Sequence, residues 1–442
     1  MNWSKIGEEA SDLLSRYIRI DTSNPPGNEA QAVEFLGMIL EDNGIDFKTY
    51  ESAPGRVNLL ARLRGEGNNK PLLLLSHSDV VPAESGGWDE DPFSGLIKDG
   101  VIWGRGTLDM KGMGIMELMS ILLLKRNQIP LNRDVLLLVV ADEESGGKFG
   151  IEYMLTNHLE ELETDFVLNE GGMGNISLLP NNQPAFFVST GEKGPIWLQL
   201  SVRGSSGHAS MPHDQNALLK LMRVILKLTD EESQVVIVPT MREFFTRVGP
   251  RWPFLEPFLK EGTEDALTQS LIKSGIMAVP AINAVLRNTI SPTRMTAGER
   301  ENVIPERAEA VVDCRILPGT SVDEFVERVR GSVSELGVEV QVLLQSAPSV
   351  SLAETHYFQA LERVLKKNVP DQITLPVILP GTTDSRFFRY RGVTAYGLIP
   401  ALCTLDDIQS VHGKNEKISV DNLTRGTKSV YDFVVEICHG GR

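Results

Sequence analysis

Three apolar runs without polar alternation constrain this chain most: residues 72–75, 135–140 and 166–168. A strand-length run that does not alternate belongs to a strand buried on both faces. That is the signature of a parallel sheet covered by helices. Each run ends near a side chain of the metal-liganding kind. His77 stands in Leu-Ser-His-Ser-Asp, Glu144 in Ala-Asp-Glu-Glu-Ser-Gly-Gly and Glu170 in Leu-Asn-Glu-Gly-Gly. Asp109 lies in the glycine-rich Gly-Arg-Gly-Thr-Leu-Asp-Met-Lys-Gly, and His412 in Val-His-Gly-Lys-Asn-Glu. Open α/β sheets place their chemistry at strand C-terminal ends. The five residues together have the order and setting that a hydrolase with two metal ions needs.

A formal charge of −16 over 442 residues argues against nucleic acid or an anionic membrane as a partner. It allows a small anionic substrate, because a local arginine pocket can sit in an acidic protein. Residues 1–15 carry Glu8, Glu9 and Asp12 and lack the basic-then-apolar order of a secretory leader. No stretch approaches transmembrane length. Cys314, Cys403 and Cys438 are far apart and odd in number, which suggests reduced thiols, not a disulfide framework or a zinc ribbon. The expectation is a cytoplasmic protein of more than one domain.

The pattern predicts helices over 5–20 and 29–43, broken at Ser-Asn-Pro-Pro-Gly, then strands at 57–63 and 71–76. Residues 96–103 read as a hairpin turning at Asp99-Gly100, a pair that tolerates the left-handed backbone of a type I′ turn. A helix over 112–127, a strand over 134–141 and a helix from about 148 complete a doubly wound α/β pattern. From Thr190 the texture changes. Strands at 195–202, 306–315 and 337–345 and helices at 214–229 and 321–335 suit an α+β layer. Residues 231–285 read as extra helices and loops rich in proline and aromatics. A helix near 354–367, strands near 374–378 and 393–398 and a helix over 420–437 return to the α/β texture. The first domain is therefore discontinuous. Asp79, two residues after His77, points to the same side of an extended segment, where its carboxylate can accept the proton of the second imidazole nitrogen.

The ligand motifs, with Ser-His-Ser-Asp-Val-Val-Pro, Trp88, Asp91-Pro92-Phe93 and Trp103-Gly-Arg-Gly-Thr, resemble the M20 family of metallopeptidases and amidohydrolases, on its aminoacylase and carboxypeptidase branch. The resemblance implies a catalytic domain over 1–190 and 349–442 and an inserted lid, through which some members dimerise, over 191–348. A homodimer through the lid is the corresponding expectation. It implies that His77, Asp109 and Glu170 hold one divalent cation and that Glu144, Asp109 and His412 hold the other, with Asp109 shared. Zinc is the first choice and cobalt or manganese the alternatives. Glu143 becomes the general base. A cis peptide is implied after Asp109.

In the lid, the resemblance gives His208 a catalytic role, its proton stabilising the tetrahedral oxyanion, and assigns substrate contacts to Asn302 and Arg315. In the catalytic domain it assigns Thr382 and Arg386, in Gly-Thr-Thr-Asp-Ser-Arg. The implied activity is hydrolysis of the amide bond of a small N-acyl or N-aminoacyl amino acid with a free carboxylate. A carboxypeptidase on short peptides is an alternative, and a non-catalytic binder of amino-acid conjugates is another. Several residues also have ordinary structural readings. Arg315 can pair with Asp313, His208 can be a hydrogen-bonded loop histidine, and Arg386 can be structural. Met110, Met113, Met116 and Met119 can form a packed helix face or an adaptable acyl pocket.

Overall fold

The computed structural model describes residues 1–84, 86–230 and 233–439. They divide into two compact units. The first comprises Met1–Thr190, Ser351–Val377 and Thr383–Arg442, and the second Gly191–Val350 and Ile378–Thr382. The chain leaves the first unit after Thr190 and returns at Ser351, not at 349, and residues 378–382 group with the second unit.

The first unit is built on a mixed sheet. Its centre is parallel: Asn69–His77 lies between Arg133–Val140 and Phe166–Asn175, and Thr394–Cys403 runs parallel to Phe166–Asn175. Antiparallel strands Arg56–Leu63 and Asp46–Ala53 extend one side, and Ala185–Glu192 pairs antiparallel near the other. The apolar runs explain the layering. Leu72, Leu74, Val135, Leu137, Val139, Phe166 and Leu168 pack into one core, with the helices Trp3–Ile18, Lys111–Arg126 and Val420–His439. Their neighbours Leu73, Leu75, Leu136, Leu138, Val140 and Val167 pack into a second core on the opposite face, with Ile151 and Phe388. Side chains alternate along a strand, so a run apolar at every position feeds both faces. Leu74→Ala should destabilise the protein by roughly 2–5 kcal/mol, read from the denaturant midpoint, because the site is fully enclosed and cannot easily collapse.

The hairpin forms as its sequence predicts. Ile97–Lys98 pairs with Val101–Trp103, and Asp99 and Gly100 carry φ of 51° and 74°. The Asp109–Met110 peptide is cis. Met110, Met113, Met116 and Met119 are fully buried in the first core, so the packed-face reading holds and the acyl-pocket reading does not.

The second unit has a four-stranded antiparallel sheet in the order Thr289–Ala297, Arg307–Ile316, Gly194–Arg203, Val338–Gln345. One face is apolar at every second residue (Ile196, Leu198, Leu200, Val202) and carries the helices Ala217–Asp230 and Val322–Val333. The stretch before the first of these strands folds into short helices, among them Pro239–Val248, Glu264–Ser274 and Pro280–Val285, with Phe245, Leu255, Leu267 and Leu271 fully buried. No helix among the described residues is long and apolar enough to cross a membrane.

Candidate metal centre

The parallel strands and the loops after them bring the five expected ligands together. His77 ends its strand and is buried. Its Nε2 lies 3.2 Å from Asp109 Oδ1 and 3.6 Å from Glu170 Oε1. His412 Nε2 lies 3.0 Å from Asp109 Oδ2 and 3.2 Å from Glu144 Oε2. The donor atoms thus fall into two groups, His77–Asp109–Glu170 and Asp109–Glu144–His412, each with its atoms within 4.8 Å of one another. Asp109 turns one carboxylate oxygen to each group. A third group, His158, Glu160 and Glu161, differs in kind: Glu161 is already engaged by Lys48 at 2.5 Å and Tyr50 at 2.7 Å.

The donor set fits divalent cations. Glu144 Oε1 is buried without a hydrogen-bond partner, as a carboxylate oxygen reserved for an ion would be. Electrostatics agree. Burial, then the Asp109 charge, pushes Glu170 up to about 8. Burial, then Glu170, pushes Glu143 well above the usual carboxylate range. Burial alone would lower His77, but its pairing with the Asp109, Asp79 and Glu170 carboxylates outweighs burial and holds the imidazole well above its ordinary value. Hydrogen bonds to Asp109 and Glu144 raise His412 to about 10. Without cations, protons would gather on these carboxylates and imidazoles, and divalent cations would supply that positive charge instead.

The turn carrying Glu143 and Glu144 has its own frame. Asp142 adopts a left-handed φ of 68°, and Gly146 and Gly147 follow at 106° and 80°. A Cβ on Gly147 would stand 2.9 Å from Asp384 Oδ1, so only glycine suits that position. Asp142 Oδ1 accepts from Arg56 at 2.9 Å and from Asn24 at 3.1 Å, and Arg56 is held in turn by Glu29 at 2.7 and 2.8 Å. Asp79 differs in detail from the sequence expectation. His77 Nδ1 lies 2.9 Å from the backbone carbonyl of Asp79 and 3.5 Å from its carboxylate. That carboxylate accepts instead from the amides of Glu143 (3.1 Å) and Glu144 (3.2 Å) and from Asn24 (2.8 Å). One carboxylate therefore ties the imidazole strand to the Glu143–Glu144 turn.

Arg386 is buried, and its guanidinium donates to the carbonyls of Thr383 at 2.7 Å and Gly146 at 2.9 Å. This is the structural reading: it buttresses the same turn. Thr382 lies in the short segment grouped with the second unit.

Within the second unit, His208 is in a two-residue strand paired with Val303–Ile304, and Ala209 donates to the Asn302 carbonyl at 3.0 Å. The Ser210 amide donates to His208 Nδ1 at 3.2 Å, so a neutral ring carries its proton on Nε2. Arg315 forms a two-pronged pair with Asp313 at 2.8 and 3.0 Å, the alternative left open by the sequence. That pair uses Nε and Nη2 and leaves Nη1 outside it.

Sequence reasoning missed Asn24, Arg56, Asp142, Arg105 and Glu416 as supports of the site. Glu416 sits in the charged run Lys-Asn-Glu-Lys, which reads as a solvated turn, yet it is fully buried. Its place four residues after His412 was the available signal.

Relatives point the same way. The model for peptidase family M20/M25/M40 matches residues 73–436. The chain is 32% identical over 373 residues to the human (Homo sapiens) N-fatty-acyl-amino acid synthase/hydrolase PM20D1, covering 83% of this chain and 74% of that protein. It is 28% identical over 426 residues to aminoacylase-1 of Mus musculus, covering 94% and 91%. Its fold resembles an M20 family metallo-carboxypeptidase from Sulfolobus solfataricus, with a TM-score of 0.72, 21% identity and coverage of 96% and 98%. The chain belongs to peptidase family M20/M25/M40 and is a metal-dependent amidohydrolase of that family.

Proposed function

We propose that the protein binds two divalent cations and hydrolyses the amide bond of a small N-acyl amino acid with a free carboxylate. The observation that carries this reading is Asp109, whose two oxygens face separate imidazole–carboxylate groups. Zinc suits mixed nitrogen and oxygen donors, and cobalt or manganese suits them too. Bound there, the cations would acidify a water molecule and polarise the scissile carbonyl.

The chain's own residues then divide the work. Glu143 takes a proton from the attacking water and returns it to the leaving nitrogen. Asp79 fixes the Glu143 amide and the His77 ring together. His208, Asn302, Arg315 and Thr382 are assigned to the substrate on the family resemblance alone, as is a homodimer through the second unit. The buried free thiols of Cys314, Cys403 and Cys438 support a reducing, cytoplasmic setting.

The acyl side has support in the first unit. A cavity of about 260 Å³ adjoins Asp109 and Glu170 and is walled by Met173, Ile399, Ile408 and Val411. An apolar wall beside the ligands favours an apolar acyl group, and two relatives named for N-acyl amino acid chemistry support the same class. The likeness to a carboxypeptidase keeps short peptides as the second reading.

The test is a screen of N-acetyl amino acids, longer N-acyl amino acids and dipeptides after zinc reconstitution, each as free acid and as amide. Longer N-acyl free acids should turn over best. Amidation should lower kcat/KM roughly tenfold or more, the scale of one hydrogen bond to a charged group. Faster dipeptide cleavage would select the carboxypeptidase, and two bound cations without turnover would select a binding protein.

A further inference from the structure

Glu416 is a buried carboxylate wrapped by the segment that leads to Asp109. Its Oε2 accepts from Arg105 Nη1 at 2.7 Å and from the Gly106 amide at 3.0 Å. Its Oε1 accepts from the amides of Leu108 at 2.8 Å and of Asp109 itself at 3.0 Å. Its backbone carbonyl accepts from the Gly104 amide at 2.9 Å. Arg105, also buried, reaches on with Nη2 to the Gly413 carbonyl at 2.6 Å, next to His412. Its guanidinium lies 5.2 Å from the centre of the Trp88 ring. One ion pair thus holds both the turn that presents Asp109 and the loop that presents His412.

The two cation groups depend on this pair unequally. His77 and Glu170 are set by central strands and are buried. The His412 side chain is 54% exposed, its φ is 56°, and it lies on a loop outside the central sheet. A buried ion pair is weak evidence for stability, because the cost of removing both charges from water offsets most of their attraction. Four hydrogen bonds converging on one buried carboxylate beside a ligand are better explained by orientation.

We propose that Arg105 and Glu416 are positioning residues that lock the Asp109 turn to the His412 loop and thereby set the affinity of the cation held by Asp109, Glu144 and His412. The proposal rests on the two-cation reading given above. Neither residue touches substrate or reacting atoms, so the effect must appear in metal binding before any activity is measured.

The test is calorimetric titration of chelator-stripped protein with Zn²⁺, and separately with Co²⁺, for the wild type, Glu416→Gln and Arg105→Lys. Glutamine keeps the shape but turns an NH₂ toward donors that need an acceptor. Lysine keeps the charge but cannot grip Glu416 and the Gly413 carbonyl with one planar fork. Glu416→Gln should weaken the looser of the two cations about 10–100-fold, the usual effect of losing a support behind a ligand. The tighter cation should change by less than about threefold. Arg105→Lys should give the same split at smaller size, and it carries the test if Glu416→Gln shows no cooperative thermal transition. Unchanged affinities at both sites, or equal losses at both, overturn the clamp. A wild type that binds fewer than two cations overturns the two-cation reading itself and takes the clamp with it.

Discussion

Glu143→Gln should leave both cations bound and remove most turnover. The side chain belongs to neither donor group, so its amide should not disturb the ligands. Its backbone amide keeps its bond to Asp79 whatever the side chain, so the turn should hold its shape. General acid–base help contributes roughly 10²–10⁴-fold, and a poor amine leaving group places the loss toward the upper end. The check pairs metal analysis with kcat on the substrate chosen by the screen. Two bound cations at wild-type rate would mean that another group moves the proton.

Asp109→Ala should strip the protein of both cations. Each donor group supplies three protein ligands, and Asp109 is the one they share. Its removal leaves each group with two, fewer than the three that an open metal site ordinarily retains. His77→Ala and His412→Ala each damage one group and leave the other complete. After exhaustive dialysis, emission spectrometry should find well below one equivalent of tightly held metal in the Asp109 variant and about one in each histidine variant. Two equivalents in all three proteins would dissolve the assigned cluster.

The parts legible in the sequence were those under the strongest physical constraint. Residues 72–75 and 135–140 have apolar groups on both faces and appear as central strands. The helices Lys111–Arg126 and Val420–His439 follow the expected spans closely. The strands that escaped notice are of another kind. Asp46–Ala53 and Thr289–Ala297 lie at sheet edges and are half-buried or exposed throughout, and the second contains Pro292. An edge strand wet on one side or both has no apolar period to read, and charge or proline there guards against edge pairing. Ala185–Glu192 was hidden for another reason: Ser189, Thr190 and Glu192 are polar yet buried.

At the site, His77, Asp109, Glu144 and Glu170 were legible because each follows an apolar run or lies in a glycine-rich turn, whereas His412, after the helix Leu405–Ser410, came from its motif alone. Their supports were not. Asn24 and Arg56 meet Asp79 and Asp142, the residue that opens the Glu143 turn, from distant parts of the chain, through contacts that no local spacing encodes. Arg315 shows the opposite limit: its motif gives its position, but only the folded structure shows its fork closed on Asp313.

The placement of Thr394–Cys403 has a consequence for biosynthesis. This late strand lies against Phe166–Asn175 in the middle of the sheet, and Val420–His439 packs on Lys111–Arg126. A nascent chain that has emerged only through the second unit therefore carries an unfinished sheet. The edge of Phe166–Asn175 and the apolar face of Lys111–Arg126 stay bare until residues 394–439 have emerged. Open edges and uncovered apolar faces are where immature chains associate wrongly. His412 also arrives with these residues. The ribosome thus releases the final ligand with the segment that closes the core, and the donor set cannot be complete before the fold is.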